Sequence, residues 1–328
     1  FRSTRALHRG HRVMAHGGGA PWRRLPGDIT RIDAGYVAPG IACFYLVEGE
    51  GEVALIETGT AHSLPNLLAS LADLGIERDR VRYVVPTHVH LDHAGAAGLY
   101  LREFPRAELL VHPRGARHLI DPGKLVASAV GVYGEESFRA LYGEIVPAPA
   151  ERVRTLEDGE LFEVGGRRLE AVHLRGHAEH HFCLWDEATR GWFSGDMFGI
   201  CYEHLRLEKG AFVLPATTPT QFDPPAYRDS VRTLARREPA WLYLTHYGAL
   251  AFDPAQAELL CDQLSAYEAL GDRRGEDLDQ ALRRCTEAAL QKLVDEETAH
   301  AMAGQLQMDL ALNAQGIAWR AQQLAAPQ

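Results

Sequence analysis

The chain has 328 residues, 46% of them hydrophobic and 24% charged, enough for one large core or two modest ones. Its formal net charge of −10 argues against a polyanion such as nucleic acid as the main partner and favours a small-molecule substrate. No run approaches the roughly 18 apolar residues of a membrane span, and no apolar stretch follows the basic N-terminus, so the expectation is no membrane partner and a cytoplasmic location. Five cysteines, Cys43, Cys183, Cys201, Cys261 and Cys285, form no CxxC pair and read as reduced core thiols.

Residues 1–25 carry Arg2, Arg5, Arg9, Arg12, Arg23 and Arg24, no acid and the run Gly17–Gly19, and read as a flexible basic tail. From Ile29 on, ITRIDAGYV, IACFYLVEG and EVALIETG read as strands separated by turn signals. SLPNLLASLADLG has the cap, apolar spacing and closing glycine of a helix. VRYVVP is a short β-branched run, and AGAAGLYLREF and AELLVH continue the alternation as helix and strand. Such alternation is the mark of an α/β layered domain.

Between that strand and helix lies THVHLDHAG, with His88, His90, Asp92 and His93 inside one short loop. Four strongly polar groups directly after a buried strand have no packing rationale without an ion. Spaced this way, His88 and His90 point together and Asp92 and His93 elsewhere, which suits two adjacent ions. Imidazole and carboxylate donors without thiolate suit zinc, iron or manganese.

Residues 113–149 read as two or three short helices, GEESFRALYG among them, inserted over the sheet. ERVRTL, ELFEV, RRLEAVHL, HFCLWDE and GWFSGD then recur at short spacing as a second sheet of hairpins. FDPPAYRDSVRTLARR opens with Asp223 and Pro224 in cap and first-turn positions and leads to the buried strand WLYLTH. Beyond Asp253 the apolar spacing is helical throughout, giving an appendage of three or so helices. The division expected is therefore a tail over 1–25, a catalytic domain over 26–252 and a helical extension over 253–328. A homodimer through that extension is a further expectation.

Three more candidate ligands stand where strand-like runs end: His177 in RGHAEHH, Asp196 in FSGDMF and His246 in LTHYG. His112, His118, His173, His204 and His300 read as ordinary polar filler.

HxHxDH followed in order by a histidine, an aspartate and a histidine resembles the metallo-β-lactamase superfamily, over roughly Ile29 to Gly248. The resemblance implies an αββα sandwich of two mixed sheets with helices outside. It implies that His88, His90 and His177 hold one divalent metal, that Asp92, His93 and His246 hold the other, and that Asp196 bridges them. Zinc leads, with iron or manganese as alternatives. A water shared by two such ions ionises near neutral pH, so a bridging hydroxide would attack a small carbonyl substrate while Asp92 carries a proton to the leaving atom. Glu57 would orient a ligand histidine or else serve as a surface or capping acid.

His90 stands where the family's oxygen-reducing diiron members have glutamate, and no cysteine fills a ligand position as in many true β-lactamases. What remains is an ester, thioester or lactone hydrolase, with His181, Tyr202 and Tyr247 as candidate substrate contacts. Two other classes stay open, a mononuclear iron enzyme resembling persulfide dioxygenases and a regulatory protein that acts through its helical tail.

Overall fold

The computed structural model describes residues 20–325. The chain divides into two compact units, residues 1–156 with 161–169 and residues 157–160 with 170–328.

In the first unit β1 (Trp22–Leu25), β2 (Ile29–Asp33), β3 (Cys43–Glu48) and β4 (Val53–Ile56) form an antiparallel meander. Helix α1 (Leu64–Leu74) then returns the chain so that β5 (Val81–Val85) lies parallel to β4. Parallel neighbours require such a crossover, whereas hairpins do not. The short α2 (Leu91–Ala94) and α3 (Ala97–Glu103) lead to β6 (Glu108–Val111), parallel to β5. Then α4 (Pro113–Ile120), α5 (Gly123–Tyr133) and α6 (Glu135–Tyr142) connect β6 to β7 (Val153–Thr155), again parallel. The result is a mixed seven-stranded sheet in chain order. Strands β3 and β4 are apolar nearly throughout and buried, with Phe44, Leu46, Val53 and Leu55 in the core beside Leu67 and Leu71 of α1. Each such side chain contributes roughly 1.5–3 kcal/mol by burial.

The structure departs from the sequence expectations in this unit. Residues 22–25 are not tail but edge strand: Trp22 packs on the core while Arg23 and Arg24 face outward, and Trp22 Nε1 reaches Asp73 Oδ2 at 3.3 Å. Of the arginines that suggest a solvated tail, Arg23 and Arg24 are exposed residues of this edge strand, Arg24 paired with Glu48; the other four fall in residues 1–19, outside the described residues. The strand of ERVRTL belongs to the first sheet, so residues 113–149 are a crossover rather than an insertion over the sheet.

The second sheet has the order β15-β14-β11-β10-β9-β8. Its strands are β8 (Leu161–Val164), β9 (Arg167–His173), β10 (Phe182–Asp186), β11 (Gly191–Gly195), β14 (Trp241–Leu244) and β15 (Gly248–Ala251). A small hairpin, β12 (Arg206–Leu207) and β13 (Gly210–Ala211), stands apart from it. Helix α7 (Pro224–Arg236) is capped by Asp223 and carries the chain from the loops after β11 to β14, which pairs parallel to β11.

Four helices follow rather than three: α8 (Pro254–Ala269), α9 (Gly275–Leu290), α10 (Glu296–Gln305) and α11 (Gln307–Ala325). The last expected helix is broken at the buried Leu306. These helices fall in the same compact unit as most of the second sheet, because Leu260, Leu264, Tyr267 and Leu282 are buried and Gln263 Nε2 donates to Val213 O at 2.8 Å. All five cysteines are free; Cys261 and Cys285 are half-buried and the other three buried. Among the described residues no helix is long and apolar enough to cross a membrane.

Candidate metal centre

Strand β5 ends at Val85, and the next residues stay buried although they are polar: Thr87, His88 and His93 are at most 1% exposed. His90 is the N-cap of α2, and Asp92 and His93 lie in its single turn. The His88 and His93 rings lie 4.0 Å apart and those of His88 and His90 4.4 Å. His88 Nε2 is 2.8 Å from His90 Nδ1, and His93 Nε2 is 3.7 Å from Asp92 Oδ2.

The opposite ring nitrogens of His88 and His93 lead to one carboxylate. Glu57 directly follows β4 and is 1% exposed. Its Oε1 accepts from His93 Nδ1 at 3.0 Å and from the Thr87 hydroxyl at 2.6 Å, while its Oε2 accepts the Thr87 N–H at 3.0 Å. Because the Thr87 proton goes to Glu57, the His88 Nδ1 that lies 3.0 Å from Thr87 Oγ1 must be the donor there. The network thus assigns N–H to both Nδ1 atoms, so each Nε2 carries the lone pair of its ring, that of His88 lying 2.8 Å from His90 Nδ1. Glu57 also holds a φ of 67°, a left-handed conformation costing of order 1–3 kcal/mol for a side chain of this kind. Thr58 fixes the same helix, its N–H and hydroxyl both donating to His93 O at 2.7 and 2.9 Å. Glu57, His88 and His93 each offer a donor within 4.8 Å of the others. The Glu57 oxygens are engaged by Thr87 and His93.

In the second unit His177, Asp196 and His246 come together, each where a strand gives way to a loop. Asp196 Oδ2 is 3.4 Å from His177 Nε2 and Asp196 Oδ1 is 3.6 Å from His246 Nε2. His177 Nδ1 donates to Ala216 O at 2.8 Å, so its Nε2 carries a lone pair facing a carboxylate oxygen. Two lone pairs at that separation repel unless a cation lies between them, and 3.4–3.6 Å exceeds an N–H···O bond. The donor set therefore fits a metal, with one Asp196 oxygen turned to each histidine.

Helix α7 secures this group. The Tyr227 hydroxyl donates to the Asp196 carbonyl oxygen, and burial pushes its phenol well above the ordinary value, keeping it a donor. Gly176, beside His177, has φ +119° and lies so close that a Cβ would meet Tyr227 N and Cα at 2.3 Å. Only glycine fits there.

Of the expected substrate contacts, His181 is fully buried with its ring 5.8 Å from that of His177, and Tyr247 is buried beside His246. The Tyr202 hydroxyl is committed to Asp309 Oδ1 on α11 at 2.9 Å. Glu179 pairs with Arg175 at 2.8 Å, and His112 caps α4 by accepting from Arg114 N. Sequence reasoning missed Thr87, Tyr227 and the Ala216 carbonyl. Only Thr87 left a signal, a hydroxyl directly ahead of the first ligand histidine.

Comparison with known proteins identifies the family. ST1585 of Sulfurisphaera tokodaii, a metallo-beta-lactamase fold-containing protein, is 30% identical over 246 residues, 73% of this chain and 85% of that protein. The crystal structure of ST1585 matches with a TM-score of 0.61 and 25% identity, over 88% of this chain and 97% of that one. A metallo-beta-lactamase family protein from Thermus thermophilus, TTHA1429, gives a TM-score of 0.58 and 26% identity over 87% of this chain and 94% of that one. The acyl-coenzyme A thioesterase MBLAC2 of Bos taurus is 32% identical over 183 residues, spanning 49% of this chain and 60% of that protein. The superfamily's sequence profile matches residues 38–246, the stretch that carries every histidine and aspartate described above as a candidate ligand. The chain therefore belongs to the metallo-β-lactamase superfamily and is a hydrolase of that fold.

Proposed function

We propose that the chain is a dinuclear metal-dependent hydrolase of small carbonyl substrates, acyl thioesters first and carboxyl esters or lactones as alternatives. His88, His90 and His177 would hold one cation and Asp92, His93 and His246 the other, with Asp196 between them. Zinc suits the nitrogen and oxygen donors best, and iron or manganese also fit. The observation that carries this reading is the orientation of the imidazoles: His88, His93 and His177 each spend Nδ1–H on a protein acceptor and leave Nε2 for a metal.

Two divalent cations supply a Lewis acid and a water molecule acidic enough to ionise near neutral pH. The chain's own residues do the rest. Glu57 and Thr87 keep His88 and His93 in the ligating tautomer. Asp92 is half-buried at the start of α2, placed to carry a proton to the leaving atom. His181, Tyr202 and Tyr247 remain the proposed substrate contacts. The thioester preference draws on the name of MBLAC2, whose match covers about half of this chain.

The test is metal analysis of the purified protein with a panel of acyl-coenzyme A thioesters, carboxyl esters and lactones. Two metal ions per chain and thiol release from the thioesters are expected. Asp92→Asn should lower kcat by about two orders of magnitude or more while metal remains bound. One iron per chain with oxygen uptake, or a metal-replete protein inert toward the whole panel, would overturn the proposal.

A further inference from the structure

Helix α11 buries Asn313, and the polar atoms of its amide are all engaged. Its Oδ1 accepts the Thr217 N–H at 2.9 Å; its Nδ2 donates to Pro215 O at 2.8 Å and reaches the Tyr267 hydroxyl of α8 at 3.3 Å. The N–H that Asn313 holds belongs to the peptide unit whose carbonyl is Ala216 O, the acceptor of His177 Nδ1 at 2.8 Å. A peptide unit is planar, so fixing its N–H fixes the direction of its carbonyl. Hydrogen bonding at the N–H also polarises the carbonyl and makes it a better acceptor. Two further features keep this segment in place. The Thr218 hydroxyl lies between two carbonyl oxygens, that of Thr220 and that of His177 at 3.1 Å. Gly316, near Asn313 on α11, lies so close that a Cβ would meet Thr217 Oγ1 at 2.5 Å and Thr218 O at 2.6 Å.

We propose that Asn313 is a positioning residue for the metal centre: through the Ala216–Thr217 peptide it sets the tautomer and aim of His177. Helix α11, in the tail that composition sets apart, is then part of the metal site. The inference rests on His177 being a ligand.

The chain of contacts runs from an amide to a peptide to an imidazole, and each link is directional. A leucine at 313 would fill a similar volume but leave Thr217 N–H and Pro215 O without their partner, so packing alone does not explain the choice. Partners of ligand histidines typically change metal affinity 10–100-fold when removed.

The experiment measures zinc affinity by chelator competition, the absorption spectrum of the cobalt(II)-substituted protein, and the unfolding midpoint of the metal-free protein. It compares wild type with Asn313→Ala, Gly316→Ala, Tyr267→Phe and His177→Ala. Asn313→Ala should weaken zinc binding by about tenfold or more and change the cobalt spectrum. Gly316→Ala, which displaces the same segment by crowding, should do likewise and serves where Asn313→Ala fails to fold. Tyr267→Phe should lower the midpoint and leave zinc affinity within about twofold, since it removes only the contact that leads away from His177. Wild-type zinc affinity and cobalt spectrum in folded Asn313→Ala and Gly316→Ala would overturn the inference. An unchanged metal content in His177→Ala is a separate result and would instead remove the ligand assignment beneath it.

Discussion

Replacing Glu57 with glutamine changes one oxygen to an amide and tests how the first unit holds its histidines. The carboxylate accepts three hydrogen bonds, from Thr87 N, Thr87 Oγ1 and His93 Nδ1, at 3.0, 2.6 and 3.0 Å. Bonds to a buried charge contribute about 1.5–3 kcal/mol each and neutral ones about 0.5–1.5. Glutamine keeps a single acceptor oxygen. If it faces Thr87 N–H, the amide NH2 meets His93 Nδ1–H and the Thr87 hydroxyl; if it is flipped, the NH2 meets Thr87 N–H. Glu57→Gln should therefore cost the metal-free protein about 2–4 kcal/mol by urea unfolding, a large part of an ordinary 5–15 kcal/mol. The imidazole has one escape, moving its proton to Nε2 so that Nδ1 accepts from the new amide. That relieves the clash but blocks the ligating nitrogen. Zinc affinity should consequently fall by about 10–100-fold. Chelator competition reads the affinity, and nitrogen NMR of the histidines reads the tautomer. Wild-type affinity with His93 still protonated on Nδ1 would refute the reasoning.

On the proposed ligand assignment, His88→Ala and Asp196→Ala should each lose bound metal and turnover; full activity in metal-replete His88→Ala would remove His88 from the ligands. Stability should decline in alkali. Burial raises the pKa of Cys201 from 9.0 to about 11 and lifts the phenols of Tyr100, Tyr142 and Tyr267 above their ordinary value. These acids stay neutral in the fold but ionise on unfolding, so their stabilisation is complete below the unfolded pKa and is lost as pH rises through the folded one. For Cys201 that window is 9.0 to about 11, with the tyrosines adding loss above about pH 10. Urea midpoints should fall with pH across this range, less steeply in Cys201→Ala; a midpoint that rises there would contradict the burial.

Local signals carried much of the reading. The closing Gly75 of α1, the Asp223 cap of α7 and the ligand loop after β5 each depend on residues within a turn or two of one another. Strand partners do not. β7 looks like the start of a run of hairpins, yet it joins β6 in parallel because the helices of residues 113–142 carry the chain across. β1 is hidden by two exposed arginines, Arg23 and Arg24, of an edge strand, and β15, GALA, lacks the β-branched residues that mark strands.

The order of amino acids was enough to identify the family and the donor types its pattern offers, since imidazole and carboxylate are properties of residue types and an ordered pattern is read along the chain. Which nitrogen His88, His93 and His177 present follows from the folded arrangement alone. That choice depends on what lies behind the ring: a carboxylate 36 positions from His93, or an amide 96 positions from the peptide that holds His177. Hydrogen bonds are short and directional, while the residues that make them are brought together by packing across the whole fold, and no periodicity in the chain records that meeting.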